Sequence, residues 1–129
     1  MSTKTMEDPG AEPAYAYHRP HPIEHEAASR LRDLGYDVMR TDGRQPGVNL
    51  IAMKGDRFRF VCVRRRKNPA GPIAGIAAAY AEDLYELRRY ISPIVTSELW
   101  IWCRADRWRY FAIYPGGIRE AGEDDGRRL

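Results

Sequence analysis

One twenty-residue stretch constrains the fold more than any other. Residues 48–67 read Val-Asn-Leu-Ile-Ala-Met-Lys-Gly-Asp-Arg-Phe-Arg-Phe-Val-Cys-Val-Arg-Arg-Arg-Lys. Two apolar runs rich in β-branched and aromatic residues flank Lys54-Gly55-Asp56, where glycine and aspartate suit a tight turn, so the stretch predicts a β-hairpin. Its second strand runs straight into four basic residues, Arg64 to Lys67. Side chains alternate along a strand, so Cys62 and Arg64 share one face while Val61 and Val63 share the other. Asn49 and Cys62 lie about six residues either side of the turn, which brings them near each other across the pair. Asn49, Cys62 and Arg64 therefore mark one edge of the hairpin.

A chain of 129 residues is long enough for one hydrophobic core and too short for two. No apolar run approaches the roughly 18 residues of a membrane span, and the N-terminus lacks the apolar region of a signal peptide. Cys62 and Cys103 both sit in apolar strand patterns, which predicts buried, reduced thiols in a cytoplasmic protein. The net charge of +3 is modest, but its distribution is not even. Six basic residues and no acid fall between Arg57 and Lys67, while acids gather in the C-terminal tail.

Residues 1–21 carry Pro9, Pro13 and Pro20 without a periodic apolar face and are expected to form a flexible arm, with Tyr15 and Tyr17 as candidates to tack its end onto the domain. A domain over residues 22–114 follows, and residues 115–129, with four glycines and a Glu-Asp-Asp cluster, are expected to be a frayed tail. The first helix is predicted to begin near Pro22, with Ile23, Ala27, Leu31 and Leu34 at helical spacing and Gly35 as its stop. Its two glutamates differ. Glu26 falls on the wet face, where it can pair with Arg30 at i+4. Glu24 falls in line with Ala28 and Leu31, on the core side, where a carboxylate is costly unless something uses it. A first-turn acid also suits the helix dipole, which accounts for Glu24 without any function.

A strand over residues 36–41 and a polar loop lead into the hairpin. Asn68-Pro69-Ala70-Gly71-Pro72 then breaks the chain before a second helix over residues 73–90, whose stripe is Ile73, Ile76, Ala77, Tyr80, Leu84, Leu87 and Ile91. Two aromatic-rich strands, 98–103 and 108–114, complete a central mixed β-sheet flanked by helices, an α/β architecture. Their Trp100, Trp102 and Trp108 are read as core and sheet-face residues. His18, His21 and His25 have a spacing that suggests a metal, but two of them lie in the proline-rich arm and a solvated arm accounts for them. Ser29 and Ser97 have no base partner nearby in the sequence.

The succession of a helix carrying Glu24, then Gly35-Tyr36, Arg40, the Pro46-Gly47-Val48-Asn49-Leu50-Ile51-Ala52 strand and Val61-Cys62-Val63-Arg64 resembles the PD-(D/E)xK nuclease superfamily, and within it the archaeal Holliday junction resolvases. The resemblance is good from Glu24 to Asn68 and looser to Tyr114. It implies a restriction-endonuclease-like core, DNA or structured nucleic acid as partner, and a homodimer. In the family an Asp and a Glu ligate Mg²⁺, the helix Glu assists, and a Lys steadies the attacking water or the phosphate. Here the Asp position is Asn49, the Glu position Cys62 and the Lys position Arg64, so only Glu24 is kept.

Mg²⁺ is a hard cation that wants oxygen ligands, and a neutral amide and a thiol are poor substitutes. Arg64 is permanently charged and repels a metal. The expectation is a degenerate site with no metal, no cofactor and no metal-dependent cleavage. Binding is what the chain keeps: Arg44, Arg57, Arg59, Arg64, Arg65, Arg66 and Lys67 form a basic edge suited to phosphate oxygens. With no base-reading motif, such binding should follow backbone shape. Two other readings stay open. One is an active Mg²⁺-dependent endonuclease in which a migrated acid, Asp42, joins Glu24; Asp37 reads instead as an exposed strand residue and Asp56 as a turn former. The other is a structural or regulatory subunit that uses the aromatic strands for protein contact.

Overall fold

The protein's structure is a computed structural model that describes residues 22–42 and 47–123. Helix α1 (Pro22–Asp33) starts on Pro22, which loses nothing by lacking an N–H in the first turn. It buries Ile23, Ala27, Ala28 and Leu31. The chain then reverses at Gly35, whose φ of +97° lies in the left-handed region open to glycine. Lys54 reaches back from the hairpin and its Nζ donates to the Leu34 carbonyl at 3.0 Å.

Strands β1 (Asp37–Arg40), β2 (Leu50–Lys54) and β3 (Arg57–Arg65) form an antiparallel meander. The predicted hairpin is present, with Leu50 opposite Val61 and Lys54 opposite Arg57. Helices α2 (Ile73–Ala79) and α3 (Ala81–Arg88) then carry the chain to β4 (Val95–Cys103), which lies parallel to β3. β5 (Arg107–Tyr114) and β6 (Gly117–Ala121) follow antiparallel. The six strands lie in sequence order, with β3–β4 as the one parallel pair, so the sheet is mixed.

The sheet separates two apolar clusters. On one face α1 packs against Leu50, Ala52, Val61, Val63 and Trp100. On the other α2 and α3 pack against Cys62, Leu99, Ile101, Phe111 and Ile113. Strands covered on both faces read as continuous apolar runs, which is the pattern of Val61 to Val63 and of Leu99 to Ile101. Among the described residues no helix is long and apolar enough to cross a membrane.

Two expectations are corrected. The single helix predicted over residues 73–90 breaks at Tyr80, whose φ and ψ of −114° and 29° leave the helical region. Ile76, Leu84 and Leu87 nevertheless bury in one cluster with Tyr80 against it, so the break redirects the axis and keeps one apolar stripe on the sheet. The expected frayed tail is instead paired as far as Ala121. β6 needs only β5's free backbone edge, and side chains reinforce it: Arg88 donates to the Tyr114 and Gly117 carbonyls, and Arg109 makes a two-toothed ion pair with Glu120. A glycine-rich, charged composition conceals such an edge strand because no apolar alternation is required of it. The expected arm 1–21 with His18 and His21, the loop 43–46 with Arg44, and residues 124–129 lie outside the described residues.

Candidate functional site

The site forms where β2 begins and β3 ends. The Asn49 backbone N–H donates to the Val61 carbonyl at 2.8 Å, so the ladder pairing continues one residue beyond β2. Its buried side-chain oxygen, Oδ1, accepts the Val63 N–H at 2.6 Å and Arg64 Nη1 at 3.0 Å. Asn49 thus stitches two strands together and holds the Arg64 guanidinium.

Arg64 does not extend into solvent. Its Nε and Nη2 donate to the two carboxylate oxygens of Asp83 at 3.0 and 2.7 Å, a fork-on-fork ion pair. Nη1 also donates to the Val63 carbonyl. Asp83 sits in the first turn of α3, where the helix dipole favours a carboxylate. It accepts a further bond from the Gly47 N–H at 2.9 Å. Gly47 has a φ of +93°, and a Cβ there would stand 2.8 Å from Glu86 Cβ, so glycine is what allows this chain segment to close against α3. Strand, loop and helix therefore converge on one carboxylate and one guanidinium.

Burial alone works against the Arg64 charge, but the Asp83 bonds more than offset it and raise its pKa above the ordinary arginine value. It is a fixed cation. Cys62 is fully buried, and that desolvation pushes its thiol pKa far up, so it stays protonated. Glu24, half-buried on α1, pairs with Arg40 at 3.3 Å. Its charge still acts on both Cys62 and Arg64. All four positions singled out in the sequence gather at one end of the sheet. Asn49 and Arg64 touch; Glu24 stands apart with its own arginine.

These residues do not fit a divalent metal. The Asn49 oxygen is shared between a backbone N–H and Arg64, and both Asp83 oxygens are occupied by Arg64 and Gly47. Among the described residues no group of three or more His, Cys, Asp and Glu could hold a metal, and Asp42 joins no such group. The Arg64 guanidinium already supplies the positive charge between these acceptors.

The basic edge also divides. Arg59 was expected on the phosphate-facing edge; instead it is 1% exposed, on the α1 face. Its Nε and Nη2 donate to Glu98 at 2.7 Å each, and its guanidinium lies over Tyr36 and Trp100. Strand alternation places it with Val61 and Val63, and the Glu98 carboxylate on β4, with the Glu123 carbonyl, makes its burial tolerable. Arg66 is half-buried and donates to the Asn68 carbonyl and the Tyr80 hydroxyl. Arg65 and Lys67 are exposed, and Arg57 sits half-buried at the far end of β3. Glu26 bonds Arg30 as expected, and also accepts the Trp108 indole N–H at 2.8 Å.

Asp83 and Glu98 were not singled out in the sequence. A signal for both was present. Asp83 falls three residues after Tyr80 and four before Leu87, on the apolar stripe, and Glu98 interrupts a buried strand. An acid among core positions marks a partner to be found.

No family model and no curated relative matches the chain. Among solved structures it is similar to Hjc, a Holliday junction resolvase from the archaeal hyperthermophile Archaeoglobus fulgidus. The two are 18% identical, with a TM-score of 0.51 over 71% of this chain and 74% of the other. The mixed six-stranded sheet between helices is a restriction-endonuclease-like fold, and the chain resembles the archaeal resolvases in it.

Proposed function

We propose that the protein binds DNA or structured nucleic acid through the phosphate backbone and does not cut it by a metal-dependent route. One observation carries this reading. The guanidinium of Arg64 is held by both Asp83 oxygens and the Asn49 oxygen, so a fixed positive charge already fills these acceptors. A metal there would meet a fixed positive charge and find no free carboxylate beside it. The likeness to a resolvase makes branched DNA the first ligand to try. Exposed cations at the end of the sheet supply what backbone binding needs, since each neutralised phosphate releases counterions and makes affinity fall with salt.

The test joins two assays on one preparation. Fluorescence anisotropy with four-way junction, duplex and single-stranded DNA across a salt series is expected to show salt-sensitive binding. Incubation of labelled junction with Mg²⁺ or Mn²⁺ is expected to leave it intact. Affinity undetectable at low salt would remove the binding half. Cleavage abolished by Glu24→Ala would remove the other half and favour an active enzyme.

A further inference from the structure

Resting on that reading, the structure points to where the phosphates sit. We infer that the contact surface is a ledge at one end of the sheet, formed by Arg65, Lys67, Arg104 and Arg107 around the paired Trp102 and Trp108, and that its ligand is the phosphodiester backbone of a nucleic acid.

The basic run over residues 57–67 is not a uniform patch. Arg59 is consumed in the core by Glu98, and Arg64 is consumed by Asp83. Arg66 donates to Asn68 and Tyr80, and Arg57 lies at the opposite end of β3, across the hairpin register from Lys54. Arg65 and Lys67 remain exposed at the end where the strand leaves the sheet. The fold brings new cations to that same end. Parallel pairing sets Arg65 beside Trp102, and the β4–β5 register sets Trp102 opposite Trp108 and Cys103 opposite Arg107. The connecting turn, with exposed Arg104 and Arg107, therefore lies next to Arg65 although almost forty residues separate them in sequence.

Two features fit this ledge to phosphate. The Arg65 guanidinium carbon lies 5.2 Å from the Trp102 ring centre. The ring takes one face of the guanidinium and leaves the in-plane N–H donors free to form a fork on phosphate oxygens. Arg65 makes no ion pair among the described residues, so no carboxylate has to be displaced. Arg107 is the one described non-glycine residue with positive φ, 62°, a strained turn conformation held at the ledge. Asp106, the acid within the turn, is directed to Arg109 at 4.0 Å. The complementary surface is thus a polyanion, whose phosphates these cations can meet whatever the base sequence.

The experiment compares wild type with R65A/R104A, R65E/R104E and W102L in anisotropy titrations on labelled duplex and junction DNA over a salt series. Thermal melts confirm the fold of each variant, and both arginines are exposed enough to be replaced. R65A/R104A is expected to weaken binding about tenfold or more and to lower the slope of log affinity against log salt by about 2. R65E/R104E should abolish binding. W102L keeps an apolar strand residue but removes the shelf, and should weaken binding about threefold. No binding by wild type refutes the functional proposal itself. Wild-type binding that R65A/R104A leaves unchanged in affinity and slope overturns the ledge alone. Sedimentation showing a dimer that R65E/R104E dissociates also overturns it, because the ledge would then face a second copy of the chain.

Discussion

Replacing Asp83 with alanine removes the acceptor of three bonds at once: two from Arg64 and one from the Gly47 N–H. Stripping one partner from a buried ion pair costs about 3–5 kcal/mol. The Arg64 side chain is 27% exposed, so water partly re-solvates the orphaned guanidinium and a loss of about 2–3 kcal/mol is the better figure. The buried Gly47 N–H, left without an acceptor, adds about 1 kcal/mol. The sum, about 3–4 kcal/mol, corresponds to a urea midpoint lower by about 2 M if the denaturant slope is about 1.5 kcal/mol per molar. The companion variant Arg64→Met/Asp83→Leu removes both charges and fills their volume, and it should recover to within about 1–2 kcal/mol of wild type. Urea unfolding followed by circular dichroism measures all three proteins, with Arg64→Met alone and Asp83→Leu alone closing the double-mutant cycle. A coupling energy of about 2 kcal/mol is expected. A loss below about 1 kcal/mol in Asp83→Ala, or a double variant as unstable as the two single losses added, would refute the claim that Arg64 is locked.

Arg59→Met should destabilise the fold by about 3–5 kcal/mol, because it strands the buried Glu98 carboxylate, yet leave the DNA affinity of folded protein unchanged. Gly47→Ala, with its φ of +93° and its clash with Glu86, should cost about 2–3 kcal/mol, against about 1 kcal/mol for Gly55→Ala, whose added Cβ meets nothing within 4 Å; chemical denaturation of the two variants checks the order. Glu26 and Glu120 are held below the ordinary carboxylate pKa, Glu26 first by the Trp108 N–H and Glu120 first by Arg109. Their contribution is present above the unfolded value of 4.5 and is lost as pH falls through the lower folded value. Thermal midpoints should therefore drop on acidification below about pH 4.5, and less steeply in Trp108→Phe, which lacks the N–H that holds Glu26 down.

The sequence by itself determined the local elements and the identity of the site positions. Two strand runs around Lys54-Gly55-Asp56 set the hairpin and its approximate register. Pro22 and Gly35 marked the ends of the first helical segment, and alternation separated Cys62 and Arg64 from Val61 and Val63. The identities of Asn49, Cys62 and Arg64 were legible because residue identity is local information. Partner choice was not. Arg59 and Arg64 are the same chemical group five positions apart, yet one neutralises Glu98 inside the core and the other neutralises Asp83 at the site. Which acid each one meets depends on the parallel β3–β4 register and on how α3 lies against the sheet. Those relations join residues nineteen and thirty-nine positions apart. Such long-range pairing arises when distant apolar faces pack together, which no local pattern encodes. The same physics assembled Arg65, Trp102 and the 104–107 turn into one ledge. It also turned a basic run that looks continuous in sequence into separate structural and exposed charges.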